Sequence, residues 1–146
     1  MQPILLSLVL VFACTGCATR WSLPDSAAEV DFEGPMGKTG WAQYERTEFY
    51  PGATPERLRQ ELIQGLAQMR FEILQDDPSA SMLIGEHGAT LYDWNILMGV
   101  YWKRHKDGVL VRYHVEASKD IGFLGDKTQR DWITELHGRM RIIFER

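Results

Sequence analysis

The sequence predicts an α+β domain: a two-layer sandwich in which two helices cover one face of a mostly antiparallel sheet, in the order β-α-β-β-β-β-α. Three observations lead there. Residues on both sides of Asp107-Gly108 alternate apolar and polar with period two, as a hairpin with one buried face does. Leu58, Leu62, Leu66 and Met69, with Ile63 beside them, recur at helical spacing. Trp132, Leu136, Met140 and Ile143 repeat that pattern near the C-terminus, with Ile133 and Phe144 at the flank.

The elements follow in order. Gly40 to Tyr50 is aromatic and alternating and reads as a strand, broken by Pro51-Gly52. Thr54 is placed to cap a helix, with Pro55 at its first position and Glu56 favoured at the positive helix end. Phe71 to Gln75 and Ser81 to Glu86 read as strands separated by the turn residues Asp76-Asp77-Pro78-Ser79. The last helix runs from about Lys127 to Phe144, and Thr128 and Asp131 have capping-box spacing. A domain over 40–146 buries roughly two-thirds of its surface, enough for one core without staples.

The hairpin defines the candidate site. With Asp107-Gly108 as a two-residue turn, Lys106 pairs with Val109, Trp102 with Tyr113 and Val100 with Val115. Ile96, Met98, Val100, Trp102, Val111, Tyr113 and Val115 then form a core face. Gly99, Tyr101, Lys103, Arg112, His114 and Glu116 form an opposite face that is polar and expected to be wet. Lys103 falls opposite Arg112 in this register, a like-charge pair that costs about a few tenths of a kcal/mol. A nearby acid such as Glu116, or a bound partner, would offset it. Tyr101, Lys103, Arg112 and His114 are therefore the candidate binding face. Lys103, Arg104, His105 and Lys106 make a basic knot at the tip, expected to be solvated. Contact with an anionic lipid surface is the sharper reading of that knot.

Composition narrows the function classes. Of 146 residues, 45% are hydrophobic and 25% charged, which suits a folded domain. The net charge of −4 argues against nucleic acid as a partner, because phosphate binding needs surplus Lys and Arg. Gly37-Lys38-Thr39 resembles the end of a phosphate-binding loop, but Phe32 stands where that loop needs its first glycine, so no nucleotide is expected. His87, His105, His114 and His137 lack metal-ligand spacing and read as solvated or capping side chains. No metal and no cofactor is implied. There is no Gly-x-Ser-x-Gly elbow. The sequence leaves paired acids for glycoside cleavage open, although Asp76-Asp77 before Pro78 is more simply a turn.

The N-terminus reads as a targeting segment. Ile4 to Cys14 is apolar except for Ser7. That is too short for a spanning helix, which needs roughly 20 residues, and it fits the apolar stretch of an export signal. The run ends Cys14-Thr15-Gly16-Cys17-Ala18, which resembles the lipobox of bacterial lipoproteins. In that resemblance Thr15 and Gly16 are the small residues and Cys17 is the cysteine that is acylated and becomes residue one. Cys14, after Val11-Phe12-Ala13, is the second choice. The resemblance implies a signal peptide over 1–16, a flexible tether over 17–39 and a membrane lipid anchor. Trp21, Phe32 and Trp41 could pin parts of that tether to the domain. Ala18, following Cys17, implies sorting to the outer membrane with the domain in the periplasm. The element order also resembles the helix-on-sheet domains of accessory lipoproteins in outer-membrane protein assembly, and Gly99-Val-Tyr, Val111-Arg112-Tyr113 and Asp131-Trp132 are similar to short proteobacterial lipoproteins. The expected function is thus a non-catalytic protein-interaction or structural module of the cell envelope, partnered by the membrane and an envelope protein. The alternative is binding of a small amphiphile or envelope lipid in a groove between helices and sheet.

Overall fold

In the computed structural model, residues 20–88, 95–118 and 128–145 are described. The fold is α+β: a six-stranded antiparallel sheet with two helices on one face. Strands β1 (Gly37–Gly40), β2 (Gln43–Pro51), β3 (Glu72–Asp77), β4 (Met82–His87), β5 (Ile96–His105) and β6 (Gly108–Ala117) lie in the order β1-β2-β6-β5-β4-β3. Helix α1 (Pro55–Gln68) follows β2, and α2 (Gln129–Phe144) closes the chain. The caps are those the sequence predicts. The Thr54 side chain accepts from Arg57 N, and Thr128 and Asp131 form a reciprocal capping box.

The helix-facing core holds the predicted residues. Ile96, Met98, Val100, Trp102, Val111, Tyr113 and Val115 pack against Leu58, Leu62, Leu66, Trp132, Leu136 and Met140. The register differs from expectation by two residues. Trp102 faces Val111, Val100 faces Tyr113, and His105 faces Gly108, so the turn is Lys106-Asp107. A shift of two preserves which face each side chain takes, because the pleat repeats every two residues. The cause is a close approach. Gly52 N donates to Asp107 O at 2.8 Å, and Gly108 pairs with Pro51 of β2. A Cβ on Gly108 would collide with the Tyr50 carbonyl oxygen. The glycine thus admits the neighbouring strand, and Lys106 takes the left-handed conformation at φ 49°. The expected Lys103–Arg112 juxtaposition disappears: Arg112 faces Tyr101, and Lys103 faces Leu110.

A polar chain runs through the helix-side core. The Tyr50 and Tyr113 hydroxyls are 2.6 Å apart, and the Tyr50 hydroxyl is 2.8 Å from His137 Nδ1. His137 Nε2 lies 3.5 Å from Glu48, which pairs with Arg46 at the surface. Burial raises both tyrosines, so both stay neutral. Burial also holds the His137 imidazole below the usual histidine range, against the pull of the Glu48 carboxylate. His137 and His87 are both buried, which corrects the expectation of solvated histidines. His87 sits against Phe71 and Trp132, its Nδ1 without a hydrogen-bond partner among the described residues.

Two expectations follow. Gly108→Ala should destabilise by roughly 1–3 kcal/mol, the usual range for overpacking, read as a lower denaturant midpoint. His137 has a depressed folded-state pKa, so its stabilisation is complete above the unfolded value of about 6.5 and fades as pH falls through that value. Unfolding free energy should therefore drop as pH falls below about 6.5 in the wild-type chain, and His137→Gln should flatten that slope.

Candidate functional site

The outer face of the sheet, opposite the helices, is built from alternate residues of β2, β6, β5 and β4. It was expected to be wet and is largely covered. Residues 20–35, expected as part of a flexible tether, form a strap across it with two 3-10 turns, Arg20–Ser22 and Ala27–Glu29. Leu23 and Phe32 of the strap pack with Met82, Ile84, Leu97 and Tyr101 in a second apolar cluster. The strap starts near the Glu116 end of the sheet, where Ser22 Oγ donates to Glu116. It crosses to the turn between β3 and β4, where Ala27 N donates to Ala80 O at 2.9 Å, and returns to enter β1. Of the three aromatic residues that could pin it, only Phe32 is buried; Trp21 and Trp41 are exposed.

Arg112 is the centre of this arrangement. Its residue is 2% exposed. Its Nε and Nη2 donate to Glu45 Oε2 at 2.9 and 2.5 Å, and its Nη1 donates to Thr47 Oγ1 at 2.9 Å. Nη2 also donates to the Pro35 carbonyl at 2.7 Å, and Nη1 to that of Gly34 at 3.3 Å. The guanidinium therefore joins a sheet carboxylate to the strap backbone. A second group adjoins it. His114 Nε2 lies 3.0 Å from Glu116 Oε1 and its Nδ1 lies 3.7 Å from Glu45 Oε1. Gln43 Nε2 donates to Glu116 at 2.7 Å, and Thr39 Oγ1 to Glu45 at 2.9 Å. Burial alone would raise the Glu116 carboxyl. The hydrogen bonds from His114 and Ser22, the His114 charge and the Gln43 bond together hold it below the usual carboxylate range.

Between strap and sheet lies a half-open cavity of ≈ 260 Å³. Pro24, Glu29, Val30, Asp31, Gly34 and Pro35 form its strap wall, and Glu45, Tyr101, Arg112 and His114 its floor. Three of the four candidate face residues therefore meet at one cavity. Lys103 is not among them; its Nζ lies over the Phe32 ring, 4.6 Å from the centroid. The Tyr101 hydroxyl donates to the Pro24 carbonyl at 2.9 Å, and burial raises its pKa. Glu45 was missed by sequence reasoning, because its role depends on β2 pairing beside β6, a long-range contact with no local signal. The alternation places Glu116 on this face, and its partners there are His114, Ser22 and Gln43 rather than the Lys103–Arg112 pair. Among the described residues no group of three His, Cys, Asp or Glu side chains is arranged to hold a metal ion. The lipid-attachment candidates Cys17 and Cys14 lie outside the described residues.

The basic knot sits at the other end of the molecule. At about 3.3 Å per residue, the strand Ile96–His105 separates it by about 30 Å from the end where Glu116 pairs with Gln43. No protein-family model matches the chain, and no curated protein matches it either.

Removing the guanidinium leaves a largely buried Glu45 carboxylate without its cation. Arg112→Ala should therefore cost about 3–5 kcal/mol, the range for breaking a buried pair from one side. Amide hydrogen exchange in residues 23–35 should rise in that variant more than exchange in β5 does. Uniform loss across both would mean that the strap does not depend on this clamp.

Proposed function

We propose that the chain is an outer-membrane-anchored periplasmic lipoprotein whose domain is a non-catalytic interaction or structural accessory module of the cell envelope. The address rests on the lipobox-like Thr15-Gly16-Cys17 with Ala18 after it. One structural observation supports the non-catalytic part. The ionisable groups that converge on the outer face are engaged with one another: Arg112 with Glu45, and His114 with Glu116. A general acid needs a carboxyl raised toward neutrality, whereas Glu116 is held low. No helix among the described residues is long and apolar enough to cross a membrane. Attachment in this reading comes from acyl chains on Cys17.

The alternative, an amphiphile between helices and sheet, has less support. Trp102 and Trp132 lie there among fully buried Leu58, Leu62, Val111 and Leu136. The strap cavity lies on the opposite face and is the better place for a partner side chain to enter.

The N-terminal peptide of the protein purified from membranes tests the address by mass: an acylated Cys17 is expected, and a peptide retaining Met1 or lacking fatty acid overturns it. A photo-crosslinking residue at Asp31, on the cavity rim, tests the module. It should capture one defined envelope protein in intact cells, and the yield should fall at least several-fold with Arg112→Ala. Repeated capture of no protein would remove the interaction reading.

A further inference from the structure

Large exposed apolar side chains are few among the described residues, and two are tryptophans: Trp21 is 88% exposed and Trp41 is 61% exposed. They are distant in sequence but share one end of the sheet. Ser22, next to Trp21, and Gln43, two residues after Trp41, both hydrogen-bond the carboxylate of Glu116. Ala117 N, one residue on, donates to Ala42 O at 3.0 Å, which places the β1–β2 turn bearing Trp41 at the same edge. The strap holds Trp21 in place, since Arg20 bonds Gln75 and Asp25 and Leu23 is buried. Neither exposed ring is accounted for by the core.

The chain outside the described residues supplies the occupant. Arg20 is three residues after Cys17. Three residues span at most about 10 Å. An acylated Cys17 would therefore keep the start of the strap, next to Trp21, within about 10 Å of the membrane. Indole suits that location, because its ring is apolar while its N–H keeps a polar partner, and tryptophan is enriched at lipid–water interfaces. The net charge of −4 gives no general attraction to an anionic surface, so the contact depends on tethering, which makes it intramolecular.

We infer that the end of the domain bearing Trp21 and Trp41 rests on the lipid–water interface of the membrane that anchors the chain. The basic hairpin tip, Lys103 to Lys106, then points about 30 Å away from that surface. The inference rests on the lipid-anchor reading and adds an orientation to it. It also reverses the sharper sequence reading of the basic knot, which placed the tip on lipid.

The test uses the full acylated protein, purified from membranes and reconstituted in phosphatidylethanolamine–phosphatidylglycerol vesicles with or without brominated acyl chains. Trp94, outside the described residues, is first replaced by Phe. Trp102 and Trp132 are buried and serve as the unquenched reference. Bromine should quench the emission of the exposed indoles, since tryptophan rings at the interface sit at the headgroup level beside the acyl chains, and Trp21→Phe with Trp41→Phe should abolish that loss. Vesicle-bound protein whose emission ignores bromine overturns the inference while leaving the anchor intact. Quenching that persists in the double variant and vanishes with Lys103→Glu and Arg104→Glu overturns it in favour of tip-down docking. A purified chain without acyl groups, seen in the peptide mass, removes the anchor reading and the inference together.

Discussion

A guanidinium taken out of water is costly unless each of its N–H groups finds an acceptor, and Arg112 finds acceptors from two sides. Glu45 and Thr47 approach from β2, and the Gly34 and Pro35 carbonyls approach from the strap. The carbonyls cannot be supplied unless residues 20–35 lie over the sheet. Burial of Arg112 and closure of the strap are therefore one event. The strap's own apolar contribution is small, chiefly Leu23 and Phe32 against Met82, Ile84, Leu97 and Tyr101. At about 25 cal/mol per Å², two such side chains offset only part of the entropy of ordering sixteen residues at about 1–2 kcal/mol each. The polar clamp supplies specificity that the apolar contacts lack.

The consequence is a sheet with two different cores. The helix side is apolar apart from buried His87 and the Tyr113–Tyr50–His137 chain, which ends at half-buried Glu48. The strap side mixes an apolar patch over β4 and β5 with a charged network over β2 and β6. That difference explains where the cavity lies. Side chains that interdigitate leave little space, whereas a segment held by a few directed bonds arches over the floor it spans. The same strap brings the start of the domain close to its candidate anchor, so site and attachment share one structural element.

Much of the helix side was legible in the residues. Periodicity located both helices, and Thr54 and the Thr128–Asp131 pair marked their starts. The faces of the hairpin were legible although its register was not, since an error of two residues leaves every side chain on its own face. The cross-strand partners were wrong for the same reason: Lys103 and Arg112 share a face without being neighbours across the pair. All but the last residue of the short strand β1 lie in the expected tether, because four residues containing two glycines carry no alternation.

The sequence by itself determined the fold class, both helices, the buried face of β5 and β6, and the grouping of Tyr101, Arg112 and His114 on the other face. These depend on short-range spacing, which hydrophobic burial imposes within a turn or a few residues. Only the tertiary structure decided that this other face is covered, that Arg112 is paired with Glu45, and that Lys103 turns to Phe32. Those outcomes depend on contacts between residues more than sixty positions apart, such as Arg112 with Glu45 and Arg112 with Pro35. An aperiodic strap with two buried apolar residues leaves no local trace of where it will lie.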